Sequence, residues 1–291
     1  MLHRVTLLRR ALLGAGLLSL LAAAPAVAQL LTPVPPPSQP TPVVLTIFAL
    51  TGDGRLLVLQ QNRVADARVV NRIHGLQIDG ALVSIDFRPS NGRLYGLGSA
   101  GGIYVVDTRT ALATLVSRSS LPLTGSFFDI DFNPVNDRLR VVSDVGQNLR
   151  VNVDTGASIA DADVSYPGTS APAFGVDGVA YTNNDATLST GTTLYVLDTE
   201  LDQIAIQSPP NEGSLAPVGR LGVDVDPPVG FDIYSAPTDG ATTPVQAFAS
   251  VVRSGRSRLY GINLVTGVAK GFGAFRSSFG VISIAVPPNQ F

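Results

Sequence analysis

Two stretches of this chain are near-copies of each other, and they begin 45 residues apart. Ile85–Leu97 reads IDFRPSNGRLYGL, and Ile130–Val142 reads IDFNPVNDRLRVV. Each copy is followed by a second run that ends in Asp-Thr, namely IYVVDT at Ile103–Thr108 and LRVNVDT at Leu149–Thr155. A repeat of this period, built from short strands with alternating apolar residues, is typical of the blades of a β-propeller. The repeat therefore predicts an all-β, propeller-like fold.

The number of blades follows from how such units fill the chain. Residues 44–291 divide into five strand-rich units of roughly 50 residues each, and one strand, Val281–Val286, is left over at the end. Because the first unit lacks an innermost strand, we expect the C-terminal strand to complete it and close the ring, which removes both exposed sheet edges. In this alignment residues 282–284 (ISI) match residues 85–87 (IDF). Six blades, with extra strands hidden in Asp161–Thr193, are the alternative.

The composition favours strands over helices and disfavours nucleic acid as a partner. The chain holds one lysine and two glutamates, residues that helical surfaces normally use in quantity. Its valine, threonine, aspartate and glycine suit strands and tight turns. The formal net charge of −2 becomes −5 once three N-terminal arginines are removed from the 20 basic residues that face 22 acidic ones. A nucleic-acid-binding domain would need a basic patch instead.

The first 28 residues have the pattern of a signal peptide. Three arginines precede an uncharged, largely apolar run, Ala11–Ala24, and the small-residue site Ala26–Ala28 follows, so cleavage is expected before Gln29. The pattern fits a secretory or a twin-arginine signal and predicts a periplasmic or extracellular bacterial protein. Because the chain has no cysteine, we expect neither a lipoprotein anchor nor disulfides. No later segment reaches the ~18 apolar residues of a membrane helix.

A proline-rich segment separates the signal peptide from the repeats. Leu30–Val43 contains six prolines, a composition typical of an extended, polyproline-like tether. The predicted organisation is therefore a signal peptide at residues 1–28, a tether at 29–43 and a β-propeller-like repeat domain at 44–291.

Five segments carry a resemblance to a known family. They are IDFRPSNGRLYGLGS at Ile85–Ser99, DFNPVNDRLRVVSDVGQNLRVNVDTG at Asp131–Gly156, GVAYTNN at Gly178–Asn184, TLYVLDTELDQ at Thr193–Gln203 and SRLYGINLVTG at Ser257–Gly267. From about Leu45 to Val286 the chain resembles the secreted bacterial family filed as domain of unknown function 4394. The resemblance implies a propeller-like extracytoplasmic domain, standalone or part of a surface protein. It implies no activity, so no catalytic residue is carried over.

Several common catalytic constellations are missing from the sequence. After signal cleavage His74 is the only histidine, and no Gly-x-Ser-x-Gly elbow is present to supply a nucleophilic serine. Zinc sites built on cysteine or on several histidines are excluded because the chain has no cysteine and the mature part has one histidine. Asp161 and Asp163 match no calcium loop and are interpreted as solvated loop charges.

Four aspartates form the one pattern that points to a site. Each follows an apolar residue in a candidate innermost strand, with Ser283 at the matching place in the closing strand, and they are Asp86, Asp131, Asp177 and Asp232. On a ring they would converge on the central channel, where carboxylate oxygens suit Ca²⁺. The alternative is structural: each aspartate bonds backbone N–H groups or an arginine of a neighbouring blade, such as Arg93 or Arg138, because buried carboxylates need partners.

These observations predict a monomeric, exported binding or scaffold domain whose ligand is a protein or a glycan. No cofactor is expected unless the aspartates bind Ca²⁺. A metal-dependent hydrolase that uses the four aspartates is the first alternative, and a purely structural surface module is the second.

Overall fold

Twenty strands make up the part of the chain that the computed structural model describes, residues 44–169, 171–183, 191–235 and 245–290. The predicted signal peptide and tether lie outside the described residues. None of the helices in the described part is long and apolar enough to cross a membrane.

The strands form five four-stranded antiparallel sheets, which are the blades. Blade 1 contains β1 (Thr46–Thr51), β2 (Arg55–Gln60) and β3 (Arg68–Arg72), and blade 2 contains β4 (Leu82–Arg88), β5 (Arg93–Gly98), β6 (Gly102–Val106) and β7 (Ala113–Arg118). Blade 3 contains β8 (Phe128–Asn133), β9 (Arg138–Ser143), β10 (Asn148–Val151) and β11 (Ser158–Ala160). Blade 4 contains β12 (Val176–Tyr181), β13 (Leu194–Asp198), β14 (Gln203–Gln207) and β15 (Leu215–Arg220). Blade 5 contains β16 (Asp226–Ser235), β17 (Val245–Arg253), β18 (Arg256–Ile262) and β19 (Ala269–Ala274), and β20 (Val281–Ala285) returns to blade 1. Short 3-10 helices occupy Val64–Asp66 and Pro210–Glu212.

The innermost strands close a ring around a central channel. Each of β4, β8, β12, β16 and β20 contacts the next, and β20 contacts β4. The fold is a five-bladed β-propeller, so the prediction of five blades is confirmed and the six-bladed alternative is wrong. The described residues of the segment Asp161–Thr193 contain one strand, β12, which is the innermost strand of blade 4.

The C-terminal strand completes blade 1, as the leftover strand predicted. β20 pairs antiparallel with β1, with Ala285 opposite Phe48, Ile284 opposite Ala49 and Ser283 opposite Leu50. This pairing gives β1 a partner on its inner side and joins the two ends of the repeat domain in one sheet, which removes an exposed edge.

The apolar core lies between neighbouring blades, because most inner strands are buried on both faces. All five residues of β6 are buried, as are all six of β12. Between blades 2 and 3 the rings of Tyr95 and Phe132 meet edge-on, with centroids 5.3 Å apart. Sequence segments that are apolar at nearly every position are therefore strands whose two faces pack against the two neighbouring blades.

A buried charge network holds blade 3 against blade 4. The side chain of Arg140 is 1% exposed and donates to the Asp161 carboxylate at 2.7 Å and to Asn148 Oδ1 at 2.6 Å. Arg150 donates two further hydrogen bonds to the Asp161 carboxylate, of 2.7 and 2.8 Å. Arg140 also donates to the hydroxyl of Tyr181 in blade 4. Asp161, interpreted from sequence as a solvated loop charge, is thus a structural carboxylate with a 4% exposed side chain.

We expect Asp161→Asn to lower the free energy of unfolding by about 3–5 kcal/mol, because it leaves the buried Arg140 guanidinium without its counter-charge. Urea unfolding at neutral pH measures the loss. Asp163→Asn is the matched control, since Asp163 lies two residues away and is exposed. An equal, small effect of both substitutions would show that the network contributes nothing beyond ordinary surface charge.

Candidate functional site

Three of the four predicted aspartates meet in the central channel. Asp86 on β4, Asp131 on β8 and Asp232 on β16 each offer a carboxylate oxygen, and these oxygens lie within 4.8 Å of one another. Their exposed fractions are only 3–5%. Inner strands that converge on one axis bring together residues that are 45 and 101 positions apart in sequence.

Backbone N–H groups satisfy these carboxylates. Asp86 accepts from the N–H of Phe87 at 2.6 Å and from that of Phe132 on the neighbouring inner strand at 2.9 Å. Asp232 accepts in the same way from Ile233 at 2.6 Å and from Val286 at 2.5 Å.

The third carboxylate follows the same pattern, because Asp131 accepts from the N–H of Tyr181 on β12. Each carboxylate therefore ties its own blade to the next, as the structural alternative predicted. The arginines proposed as partners, Arg93 and Arg138, are exposed instead. No salt bridge within the described residues reaches the three carboxylates.

Burial and mutual repulsion raise the pKa values of this cluster. Burial raises the pKa of Asp86 well above its usual range, and the charge of Asp232 raises it further, while the N–H bonds lower it. Burial also raises the pKa of Asp131, with Asp86 and Asp232 adding to the effect. For Asp232, burial raises the pKa to about 7. Three crowded carboxyl groups at neutral pH must therefore share protons or hold a cation.

Asp177 lies apart from the other three, so the predicted ring of four is corrected to three. The N–H of Tyr181 donates to Asp131 in the same way as the N–H of Phe132 donates to Asp86. Phe132 directly follows the aspartate of blade 3, so the residue directly before Tyr181, Ala180, takes the position of the aspartate in blade 4. Asp177 falls at an irregularity of the β12–β13 pairing, between Val176 and Gly178.

Ser283 is also displaced from its predicted place. The N–H of Val286 donates to Asp232. The residue directly before it, Ala285, therefore takes the position that an aspartate has in blades 2, 3 and 5. Ser283 lies two residues earlier on the same face, where its hydroxyl is 3.1 Å from that of Ser84.

A fourth channel carboxylate, Asp129, was missed by sequence reasoning. It is 1% exposed and accepts from the Ser84 hydroxyl at 2.8 Å and from the N–H groups of Val179 and Phe231 at 3.1 Å each. Burial raises its pKa well above the usual range. The signal was present in the sequence, because alternate residues of a strand share a face and Asp129 stands two residues before Asp131. One carboxyl group thereby links four blades.

The carboxyl cluster fits a hard cation only in part. Three carboxylates offer the oxygen ligands that Ca²⁺ prefers, yet Ca²⁺ takes about 6–8 oxygens, and both oxygens of Asp86 and Asp232 already accept an N–H bond. The cluster is also closed to large molecules, since its members are at most 5% exposed. His74, the other residue considered from sequence, is exposed and belongs to an isolated bridge with Leu112.

Blade 5 carries an apolar cavity on its outer part that sequence reasoning did not identify. The cavity measures about 410 Å³, and its lining combines apolar walls with polar groups, namely Val245, Gln246, Ala247, Phe248, Gly261, Ile262, Asn263, Val268, Lys270 and Phe272. Three of these apolar residues are unusually exposed: Val268 at 53%, Val245 at 41% and Phe272 at 38%. Val245 begins β17 and Val268 lies just before β19, whereas Phe272 is exposed on β19, the outermost strand of the blade.

Comparison with known proteins gives a family and a set of similar folds. The family model described as Domain of unknown function (DUF4394) matches residues 55–285, whereas no curated protein matches the chain. An auxiliary nutrient binding protein from Bacteroides thetaiotaomicron is similar with a TM-score of 0.43 and 9% identity, over 77% of this chain and 56% of that chain. A protein of unknown function from the same organism gives 0.41 and 13% over the same shares.

A surface protein belongs to the same set. PorZ, a surface component of the type-IX secretion system of Porphyromonas gingivalis, gives a TM-score of 0.38 and 16% identity, over 78% of this chain and 26% of that chain. The chain spans about half the length, or less, of these solved proteins.

Proposed function

The chain belongs to the family described as Domain of unknown function (DUF4394), and we propose that it is an extracytoplasmic binding domain that holds a glycan or protein ligand on blade 5. The closed ring supplies a rigid scaffold, and the exposed outer part of the blade supplies the contact surface. The proposal assigns no chemical step to the protein.

The apolar cavity of blade 5 is the observation that carries this proposal. Ligand sites are typically concavities of about 300–1,000 Å³ with apolar and aromatic walls and a few polar groups, and the cavity of about 410 Å³ has that character. The ring of Phe272 is exposed beside it and packs against Phe248, with centroids 5.8 Å apart. An aromatic ring that is already held in place loses little conformational freedom when it binds a ligand.

Export to the periplasm or the cell exterior is supported by the sequence of the first 28 residues. The arginines at the start, the apolar run and the Ala26–Ala28 site are the features that the export machinery reads. The proline-rich segment Leu30–Val43 follows that site in the sequence.

We expect Phe272→Ser to weaken ligand binding at least about tenfold, since an aromatic anchor at the centre of a site usually contributes more than 1.4 kcal/mol. Glycan and peptide arrays probed with the exported chain identify the ligand, and calorimetry with that ligand measures the loss. Val265→Ser is the matched control, because Val265 is 84% exposed and does not line the cavity. Equal effects of the two substitutions, or binding to neither array, would contradict the proposal.

A metal-dependent hydrolase is the second candidate, and the meeting of Asp86, Asp131 and Asp232 in the channel favours it. Bound in the channel, a divalent cation would neutralise the carboxylates and polarise a substrate group small enough to enter the channel. The same ion would stabilise the folded state by about 2.7 kcal/mol at a hundredfold excess over Kd.

If this candidate is right, Ca²⁺, Mg²⁺ or Mn²⁺ at millimolar concentration will raise the melting temperature above its value in EDTA by about 5–10 °C. Asp131→Asn should abolish the shift, while Asp163→Asn, an exposed control, should keep it. Identical melting curves in EDTA and in all three ions would remove the hydrolase and leave the carboxyl groups with their structural role.

A further inference from the structure

A second cavity lies where blade 5 meets blade 1. It measures about 500 Å³ and is lined by the end of β2, by the 3-10 helix Val64–Asp66, by Arg68 at the start of β3 and by Arg276, which connects β19 to β20. Three arginines and one aspartate face this cavity. The cavity is separate from the blade 5 cavity, and the two have no lining residue in common.

The charge of this cavity is opposite to that of the whole chain. Arg63 pairs with Asp66 at 2.8 Å, which leaves the charges of Arg68 and Arg276 uncompensated. Within the described residues, no carboxylate lies at ion-pair distance from either of these two. A local charge of +2 thus lies on a protein whose formal net charge is −2.

The cationic groups rest on a rigid base. Val64 and Ala67 are 2% and 1% exposed and belong to the core between blades 5 and 1. Arg276 Nε donates to the backbone oxygen of Ala65 at 3.1 Å, so its guanidinium is fixed across the seam. Asp66 orients Arg63 by accepting from its Nε at 2.9 Å. A guanidinium group that is held like that of Arg276 binds planar or multi-oxygen anions with little further loss of freedom.

We propose that this seam cavity binds the anionic group of an acidic saccharide, a carboxylate or a sulfate carried on a sugar. Oxyanions complement the two uncompensated guanidinium groups, and a cavity of about 500 Å³ suits a small ligand in the range of about 300–1,000 Å³ rather than an extended peptide. Gln60, beside the arginines, offers an amide for sugar hydroxyl groups. The choice of a saccharide rests on the proposed function, whereas the choice of an anion rests on the cavity alone.

Calorimetric titration of the full exported chain with digalacturonate tests this inference, with neutral digalactose, inorganic sulfate and an acidic peptide as comparison probes. We expect digalacturonate to bind more tightly than digalactose, with an affinity that falls as salt is added. The double substitution Arg68→Ala and Arg276→Ala should weaken binding at least about tenfold, since two charge-assisted contacts are lost.

Arg109→Ala with Arg118→Ala is the matched control, because both arginines are exposed and Arg118 Nε donates to the oxygen of Ala100 as Arg276 Nε does to that of Ala65. The control removes the same net charge from another blade and should leave the affinity unchanged. Equal losses in both double variants, equal binding of digalactose, or tighter binding of sulfate alone or of the acidic peptide would each overturn the inference. Phe272→Ser keeps the two proposals apart, since it should leave digalacturonate binding at this seam intact.

Discussion

A chain that ends at Gly280 will lose the cooperative unfolding transition of the propeller, because β20 is the innermost strand of blade 1. Val281, Ile284 and Val286 are each 1% exposed, and burial of one such side chain contributes about 1.5–3 kcal/mol. Their combined loss approaches the whole free energy of unfolding of a typical domain, about 5–15 kcal/mol. Truncation would also expose the edge of β1. It would remove the hydrogen bond that the N–H of Val286 donates to Asp232 in the channel.

Differential scanning calorimetry of the truncated chain measures this loss as the disappearance of the main transition. A synthetic peptide of residues 279–291 should restore the transition in trans, since the strand pairs with β1 through backbone bonds that need no covalent connection. A full-length pair gives the matched test: Ile284→Asp at a buried position should unfold the chain, and Val268→Asp at a 53% exposed position should not. A truncated chain that melts with unchanged enthalpy would mean that the ring does not need closure.

The fold could be predicted from sequence because two blades are regular enough to show the period. IDFRPSNGRLYGL and IDFNPVNDRLRVV fall on β4–β5 and β8–β9, and each copy repeats the register of its neighbour. Blades 4 and 5 are harder to delimit, since β16 runs for ten residues and contains a pair of prolines near its start, Pro227-Pro228. The strand left over at the C-terminus supported five blades, because a closed ring needs this strand to complete blade 1.

The channel site could be predicted only where the strand register was regular. Asp86, Asp131 and Asp232 follow an apolar residue on undisturbed parts of their strands, so the local pattern gave the correct face. Asp177 follows Val176 in the same way, but the irregularity between Val176 and Gly178 adds one residue to the strand and moves the aspartate off the channel. A bulge of this kind has no reliable mark in a single sequence.

The surface cavities were invisible for a different reason. Alternation of apolar and polar residues tells which positions of a strand share a face, but it does not tell whether another element covers that face. Phe272 has the same residue type as core positions, and its place on β19, the outermost strand of blade 5, leaves it exposed. The seam cavity between blades 5 and 1 likewise brings Arg276 next to residues that lie more than 200 positions earlier in the sequence.

Asp177 makes the stability of the propeller depend on pH. Its side chain is 1% exposed, and within the described residues no group makes a well-formed hydrogen bond to either carboxylate oxygen. The Thr199 hydroxyl lies near enough to lower the pKa, but burial outweighs it. Burial raises its pKa to about 8, against roughly 4 in an unfolded chain. Below pH 4 the group is protonated in both states. Between pH 4 and 8 only the folded state keeps the proton, so stability falls as pH rises by up to about 1.4 kcal/mol per pH unit.

We therefore expect Asp177→Asn to stabilise the protein at pH 8 and to be neutral or destabilising at pH 4.5. At pH 8 it removes a penalty on the order of 5 kcal/mol, offset by about 1–3 kcal/mol for a buried amide that is incompletely hydrogen-bonded. Urea unfolding of both chains at the two pH values measures the difference.

The comparison between variant and parent isolates Asp177, because the raised pKa values of Asp86, Asp131 and Asp232 give both chains the same additional pH dependence. Asp163→Asn, which alters an exposed carboxylate, should show no such difference between the two pH values. A difference in unfolding free energy that is constant from pH 4.5 to pH 8 would contradict the assignment, since it would mean that the Asp177 carboxyl group titrates alike in the folded and unfolded chains. Asp177 would then have to be paired in solution and would carry no proton at neutral pH.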